Sequence, residues 1–248
     1  MKKEYIFIII FLAVTGGLFF FGSRYNNSSK NIIATTTPDV LEATLKIAPI
    51  ISEYSSTTYT SIALNYPKSS ETELSDIYLT VRDIKDDFVK AYGGLTKDDA
   101  DRMYISASDP YETVINTKIE KSDKTVTYIL YAYQYTGGAH GGTGVYTFTY
   151  DINGNLLKDT DVFESNYLNV VAPLAKDYFY LNLDEYKNPS MIDDGTSPVY
   201  DNYRTWYLTN DSLVFIFGQY QVGPYVLGIQ EFRIDKEKIK NILKSEYK

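Results

Sequence analysis

A short glycine-rich segment holds the residues of this sequence that are best suited to chemistry. Tyr135–Gly142 (YTGGAHGG) contains the only histidine among 248 residues. Histidine can act as a general base or contact a ligand, and glycines let a backbone adopt positive φ and approach a ligand closely. Three roles therefore stay open for His140: catalysis, ligand contact, or a hydrogen bond that only fixes the loop. Nucleotide binding is excluded, because a phosphate-binding loop needs a lysine at the start of a helix and the segment supplies neither.

Carboxylates elsewhere in the chain raise the question of whether the protein is a hydrolase. Asp193 and Asp194 are adjacent in the stretch Met191–Gly195, whereas a glycosidase needs two carboxylates on opposite sides of a sugar ring. A serine nucleophile would need a G-x-S-x-G turn, which the sequence lacks. We therefore predict no catalytic residue. The alternative is a hydrolase acting on the cell envelope, with His140 as base and a carboxylate such as Asp193 as its partner.

Metal and cofactor sites are not expected. The sequence has no cysteine and one histidine, which excludes disulfides, thiolate sites and histidine-rich metal sites. Asp151–Asn155 (DINGN) resembles a calcium loop, but an EF-hand needs glycine at position six and glutamate at position twelve. Here Gly154 is fourth and Val162 is twelfth. We interpret this stretch as a turn between strands.

A second aromatic segment lies nearer the C-terminus. Tyr220–Gly228 (YQVGPYVLG) has a Gly-Pro bend between two tyrosines, which predicts either a turn or the rim of an aromatic groove. Tyrosine combines an apolar ring with a polar tip and therefore suits a binding surface. The predicted ligand-binding residues are Tyr135, Gly137, Gly138, His140, Gly141, Tyr220, Gly223, Pro224 and Tyr225.

The elements that must position these residues follow from periodicity. After a possible capping box of Ser70 and Glu73, apolar residues recur at spacings of three and four as far as Tyr92, which predicts an amphipathic helix. Alternating stretches rich in Val, Ile, Thr and Tyr, joined by short turns, predict an antiparallel arrangement. The fold class is α+β, with antiparallel sheets and two to three packed helices. The predicted strands are Thr57–Tyr66, Tyr111–Lys121, Lys124–Thr136, Thr143–Asp151, Tyr203–Thr209, Ser212–Gln219 and Tyr225–Ile234; the other predicted helices are Tyr167–Leu183 and one from Lys236, and Asn188–Pro198 is a predicted loop.

An uncharged apolar run stands near the N-terminus. Tyr5–Gly22 has about the length that spans a bilayer as a helix, and two lysines precede it, so the positive-inside rule places the following chain outside the cytoplasm. Bulky Phe19–Phe21, in place of a small-residue cleavage site, favours a retained anchor over a cleaved signal peptide. We expect a single-pass membrane protein. Its predicted segments are a cytoplasmic stub (1–4), a transmembrane anchor (5–22), a tether and first extended segment (23–56), a small strand–helix subdomain (57–108) and a C-terminal antiparallel α+β domain (109–248).

The composition restricts the partners. The net charge is −8 and the aromatic fraction is 15%, with 25 tyrosines. An acidic surface repels nucleic-acid phosphates, so nucleic-acid binding is excluded. The same charge suits a basic partner, because complementary charge raises the rate of association.

Several motifs, in this order and spacing, resemble one family of extracytoplasmic domains. These motifs are ALNYP ending at Pro67, YTGGAHG ending at Gly141, the D-x-N-G-x-x-L…D-x-F stretch of Asp151–Phe163, and Tyr220–Gly228. They are similar to the extracellular domain of RsiV-type anti-sigma factors, which binds lysozyme, and to the N-terminal part of PdaC-type peptidoglycan deacetylases. The resemblance covers the chain from about Thr57 onward and implies an α+β domain outside the membrane, without catalytic residues of its own.

The sequence departs from both relatives. Val226 stands where the family usually has alanine, the predicted cytoplasmic stub is too short to hold a sigma factor, and no deacetylase segment with metal-binding Asp and His residues is present. Neither named activity is therefore carried over. We predict a non-enzymatic binding or sensing domain that faces the cell envelope. Its predicted ligand is a cell-wall glycan, such as a peptidoglycan fragment, or a basic envelope protein such as lysozyme; a scaffold that only holds envelope components together is the third possibility.

Overall fold

The computed structural model describes residues 47–248, which belong to one compact unit. The predicted cytoplasmic stub, the predicted anchor at 5–22 and most of the predicted tether lie outside these residues. Within residues 47–248, no helix is long and apolar enough to cross a membrane.

The larger of two sheets has five strands in the order β1-β2-β3-β4-β5. Its strands are β1 (Ile50–Ser56), β2 (Thr60–Pro67), β3 (Tyr111–Lys121), β4 (Thr125–Tyr135) and β5 (Gly142–Asp151). The prediction of purely antiparallel sheets is wrong at one place, because β2 and β3 are parallel. Parallel neighbours need a long crossover, and two helices lie between these strands in sequence. Short turns elsewhere keep β3, β4 and β5 antiparallel, as predicted.

The smaller sheet is antiparallel, in the order β6-β7-β8. Its strands are β6 (Trp206–Leu208), β7 (Ser212–Phe217) and β8 (Gln230–Asp235). The predicted strand from Tyr225 therefore begins later than expected, because Tyr225–Leu227 forms a 3₁₀ turn.

Six helices accompany the sheets within the described part of the chain. They are α1 (Ser75–Tyr92), α2 (Lys97–Met103), α3 (Asp159–Val162), α4 (Tyr167–Asn182), α5 (Pro189–Gly195) and α6 (Tyr200–Tyr203). The two long helices, α1 and α4, were predicted from their apolar spacing. The α+β class is confirmed, but the prediction of two to three helices is too low, because four short helices accompany the two long ones within residues 47–248.

Three local predictions about helices are wrong. The N-cap of α1 is Leu74 in a left-handed conformation, not Ser70, whose hydroxyl instead accepts the Glu73 N–H one turn earlier at 3.0 Å. The predicted loop after Asn188 contains α5, since the Asn188 side chain caps the Met191 N–H and Pro189 suits the first turn. The predicted helix from Lys236 is only a series of 3₁₀ turns.

The elements stack in four layers: helix, sheet, sheet, helix. Ile77, Val81 and Phe88 of α1 pack on one face of the five-stranded sheet. The opposite face meets the small sheet through a cluster of Ile129, Tyr207, Val214 and Ile216. The outer face of the small sheet packs against α4, where Val171 and Phe179 meet Phe215 and Phe217. Burial of these side chains, worth about 1.5–3 kcal/mol for each large one, holds the layers together.

A polar contact also joins the two sheets. The Lys118 ammonium on β3 lies 2.9 Å from Glu120 and 3.4 Å from Glu231 on β8, and the Tyr207 hydroxyl donates to Glu231 at 3.0 Å. Burial alone would lower the pKa of Lys118, but the two carboxylates raise it above its usual value. The lysine therefore stays charged between the sheets.

Gly195, at the end of α5, should not tolerate a side chain. A Cβ there would lie 1.9 Å from the Gln221 carbonyl oxygen, so Gly195→Ala forces the backbone apart. We expect a loss of at least about 1–3 kcal/mol in the free energy of unfolding, measured by thermal or denaturant unfolding. Gly94→Ala is the matched control, because nothing lies within 4 Å of its added Cβ. Equal stability of the two variants would contradict this packing.

Candidate functional site

An open cleft of about 940 Å³ lies beside β5, at one edge of the large sheet. Three parts of the chain form it. Its principal side chains are Thr80, Asp83, Ile84 and Asp87 from α1; Gln134, His140 and Tyr146 from β4, the β4–β5 loop and β5; and Gln219, Tyr220 and Tyr225 from the β7–β8 loop. The glycine-rich loop and the second aromatic segment therefore share one cleft.

The β4–β5 loop owes its shape to glycine at three positions. Gly137 and Gly138 have φ of 94° and 90°, which side-chain-bearing residues rarely adopt. A Cβ on Gly141 would lie 2.4 Å from the Gln134 carbonyl oxygen and 2.5 Å from the Tyr133 ring. Glycine is needed here for close packing, and the resulting loop holds His140 over the cleft.

An aromatic cluster of His140, Tyr220 and Tyr225 forms one wall. The His140 and Tyr225 rings stack at 3.6 Å between centroids with an interplanar angle of 15°. The Tyr220 ring lies 5.6 Å from that of Tyr225. Aromatic contacts of this kind are worth about 0.5–1.5 kcal/mol beyond the area that they bury.

Hydrogen bonds fix the imidazole within this cluster. His140 Nδ1 lies 3.0 Å from the Gly141 carbonyl oxygen, which can only accept, so Nδ1 carries a hydrogen. In the neutral ring, Nε2 is then free to accept from the Tyr220 hydroxyl, 3.3 Å away. Both ring nitrogens are thus engaged by groups that position the ring.

The β7–β8 loop presents its tyrosines through an unusual backbone. Tyr220 has φ of 64° and is 54% exposed. Gly223 and Pro224 precede the 3₁₀ turn that begins at Tyr225, and a Cβ on Gly223 would lie 2.3 Å from a Leu227 methyl group. Neither lines the cleft. They lead into the turn that carries Tyr225, and their contact with a ligand stays a prediction.

Two glutamines anchor this loop, and no sequence motif indicates either of them. The Thr143 N–H on β5 donates to Gln219 Oε1 at 2.8 Å. Gln221 accepts from the Gly218 N–H at 2.9 Å and donates to the Gly195 carbonyl at 3.1 Å. The aromatic segment is therefore tied both to the edge of the large sheet and to α5.

The sequence predicts Tyr135 as a ligand-binding residue, but Tyr135 does not line the cleft. Its hydroxyl is 3.3 Å from both an Asp109 carboxylate oxygen and the Gly138 carbonyl oxygen. Burial, with the nearby Asp109 charge, raises the pKa of Tyr135. Its contacts are those of a residue that holds the loop from behind.

The acidic wall comes from α1. Asp83 pairs with Arg82 at 2.7 Å, while Asp87 makes no hydrogen bond or ion pair within residues 47–248. Among the residues that the structure describes, no lysine or arginine lines the cleft. Helical spacing places Thr80, Asp83 and Asp87 on one face, but only the tertiary structure reveals that this face meets the aromatic cluster.

The pairing of His140 with Asp193 is not present. The Asp193 carboxylate lies 2.9 Å from both the Lys176 ammonium and the Tyr180 hydroxyl, and these contacts lower its pKa. Within residues 47–248, His140 makes no hydrogen bond or ion pair with any carboxylate. In the same residues, no group of three His, Cys, Asp or Glu is placed to hold a metal ion.

Gly141→Ala should disorder the loop that carries His140. The added Cβ clashes with Gln134 and Tyr133, so we expect a lower melting temperature and faster amide exchange between residues 136 and 142 by hydrogen-exchange mass spectrometry. Gly142→Ala, whose Cβ meets nothing within 4 Å, should leave both unchanged. The packing of this loop would be refuted by a Gly141→Ala variant that behaves like its neighbour.

Glu112 on β3, opposite Tyr135 in the sheet, gives a pH-dependent prediction. Burial, with the Asp109 charge, raises its pKa in the folded protein. Because the pKa of Glu112 is higher in the folded state than in the unfolded state, stability is lost as pH rises through these two values and the carboxyl group ionises. Glu112→Gln should therefore raise the melting temperature at pH 7 and have little effect near pH 3. Exposed Glu71→Gln is the control, and an equal shift at both pH values would oppose the prediction.

Comparisons with known proteins agree with this architecture. The chain is 25% identical to the Bacillus subtilis (strain 168) peptidoglycan-N-acetylmuramic acid deacetylase PdaC, over 99% of this chain and 52% of the relative. The chain thus spans about half the length of that protein.

Two solved structures share the fold. A DUF3298 family member from Bacteroides fragilis superposes with a TM-score of 0.56 at 18% identity, over 80% of this chain and 93% of that one. A DUF3298 family protein from Pseudomonas aeruginosa PAO1 superposes with a TM-score of 0.52 at 16% identity, over 82% of this chain and 97% of that one. Residues 158–237, which run from the start of α3 to just beyond β8, match the family model "Protein of unknown function (DUF3298)".

Proposed function

We propose that this protein is a non-catalytic binding domain of the cell envelope, and that its cleft binds a glycan such as a peptidoglycan fragment. One observation carries the proposal: the stacked His140–Tyr225 pair, with Tyr220 beside it, forms a wall of an open cleft. The C–H faces of a sugar ring pack well on aromatic rings, because both surfaces are apolar and flat. Asp83 and Asp87 of α1 supply carboxylates and Gln134 of β4 supplies an amide, and these groups can hydrogen-bond sugar hydroxyls.

Location at the envelope rests on two supports. The relative PdaC is named for an activity on peptidoglycan, and Tyr5–Gly22 has the length and apolar character of a membrane anchor. On this proposal, the anchor holds the folded domain at the outer surface of the membrane. The resemblance to RsiV-type domains is consistent with the same location.

The absence of catalysis is part of the proposal. A general base must reach the proton that it removes and is usually oriented by a third group such as a carboxylate. His140 instead has its nitrogens directed at the Gly141 carbonyl and the Tyr220 hydroxyl. A hydrolase would need another acid in the cleft, and Asp87 is the carboxylate there without an ion pair.

A basic protein such as lysozyme is the second candidate ligand. The observation that favours it is the charge of the cleft, whose lining within residues 47–248 has two carboxylates and no lysine or arginine. The net charge of −8 would also attract a cationic protein from a distance.

Calorimetric titration of the full chain in nanodiscs tests the proposal. The titrants are a tetramer of N-acetylglucosamine, muropeptides and lysozyme. His140→Ala and Tyr225→Ala should each weaken glycan binding by about five- to tenfold, because each removes a stacking surface. Tyr104→Ala is the control, since Tyr104 is 96% exposed and does not line the cleft.

Two outcomes would overturn the glycan assignment. One is the absence of binding to either saccharide at about 1 mM, where even a weak specific site would be occupied. The other is binding that the His140 and Tyr225 variants leave unchanged. Lysozyme binding that is lost in Asp87→Asn, without any glycan binding, would support the second candidate. Release of product from a saccharide, lost in His140→Ala, would support the hydrolase.

A further inference from the structure

Within residues 47–248, strand β5 is an edge of the large sheet, and part of that edge has no partner. In an antiparallel pair, alternate residues direct both backbone groups towards the neighbouring strand or away from it. The Thr143 N–H donates to Gln219, not to β4, and the Thr149 carbonyl accepts from the Leu157 N–H at 2.7 Å. The odd-numbered residues of β5 therefore direct their backbone groups outward.

Four of these outward groups are unoccupied within the described part of the chain. They are the Thr143 carbonyl, the Val145 N–H, the Val145 carbonyl and the Thr147 N–H. They follow one another along the strand at the spacing of a ladder. Gln219 lies at one end of this free edge, where it accepts from the Thr143 N–H. Trp206 lies at the other end, where its N–H donates to Thr147 Oγ1.

The free edge lacks the features that usually prevent strand pairing. Exposed edges are commonly protected by lysine, proline or a bulge. The sequence from Thr143 to Thr147 is TGVYT, and none of the described residues with left-handed backbone falls within it. Gly142 and Gly144 present no side chain towards the cleft. An added strand would therefore meet an edge without left-handed residues, with Tyr146 as the side chain of this stretch on the cleft face.

Charge indicates which chain would pair there. Side chains of an added strand alternate between the two faces of the sheet, and those on the α1 face would lie over the cleft with Asp83 and Asp87. Asp87 has no cationic partner within residues 47–248. An acidic peptide would be repelled, and a peptide with lysine or arginine at alternate positions would be attracted.

We propose that the edge of β5 from Thr143 to Thr147 binds an extended cationic peptide, which adds to the sheet as a sixth strand. Backbone hydrogen bonds supply the affinity, and the carboxylates of α1 select basic side chains. The proposal goes beyond glycan binding and does not depend on it, because it uses the strand edge and α1 and not the aromatic wall.

The experiment uses the full chain in nanodiscs and three synthetic seven-residue peptides with blocked ends. The first is TKTKTKT, the second is TETETET, and the third is the lysine peptide with alternate amides N-methylated along its pairing edge. The lysine peptide should protect the amides of Val145 and Thr147 from hydrogen exchange. The glutamate and N-methylated peptides should bind at least about tenfold more weakly, because one meets like charge and the other lacks donors.

Protein variants test the same contacts from the other side. Val145→Pro removes an outward N–H at an edge position, where proline is tolerated. It should lower the affinity for the lysine peptide about fivefold or more. Tyr104→Ala is the control and should bind the lysine peptide like the parent, because Tyr104 is exposed and does not line the cleft. Asp87→Asn should weaken the lysine peptide and reduce the dependence of binding on salt. If Val145→Pro unfolds, the N-methylated peptide still decides whether backbone pairing is required.

Three results would overturn the proposal. The first is a lysine peptide that binds without protecting β5, or does not bind at all. The second is equal binding of the N-methylated peptide. The third is protection of β5 that rises with protein concentration alone, with a dimer in sedimentation, because a second copy of the chain would then occupy the edge. The N-acetylglucosamine tetramer is measured in parallel, so that loss of the glycan assignment and loss of the peptide site are read separately.

Discussion

The packing of one sheet against the other determines where every part of the cleft lies. Ile129 on the large sheet meets Val214 and Ile216 on the small sheet, and the charged Lys118 contact fixes the same interface from its rim. Because β4 and β7 are held face to face, the loops that follow them emerge side by side. His140 can then stack on Tyr225, and Gln219 can cap the edge of β5. The cleft is a product of apolar packing between layers, and its aromatic wall would separate if that packing were lost.

Much of the framework could be predicted from the sequence, because its signals are local. Apolar spacing identified α1 and α4, and β-rich alternation with short turns identified β3, β4 and β5. Prediction failed where the determinant is distant or weak. The parallel pairing of β2 with β3 depends on how the chain returns after α1, and alternation within a strand does not report its partner. Helix α5 is seven residues long and includes proline and glycine, so its composition is that of a loop. It is held by a cap at Asn188 and by contact with Gln221.

The residues of the candidate site also fall into those that local sequence signals predict and those that they do not. Glycine density and the single histidine marked the β4–β5 loop, and the Gly-Pro bend marked the β7–β8 loop. Nothing local indicated that Asp83 and Asp87, which have the spacing of a solvated helix face, would lie across from those loops. Tyr135, Gly223 and Pro224 were grouped with the ligand-binding residues because they are neighbours in sequence. Tyr135 contacts Asp109 and Gly138, Gly223 packs close to Leu227, and none of the three predicted residues lines the cleft.

The three-walled cleft has a consequence for how relatives of this protein are compared. The family match at residues 158–237 includes Gln219, Tyr220 and Tyr225. It does not include α1 or the β4–β5 loop, which form the other two walls and precede residue 158. Proteins can therefore share that region, and with it the small sheet and α4, while differing in what faces the tyrosines. If the cleft binds a ligand as proposed, two such proteins should share that ligand only where a histidine stacks on the equivalent of Tyr225 and a similarly charged helix lies opposite. In this architecture, relatives can share the small sheet and α4 and still differ in ligand specificity.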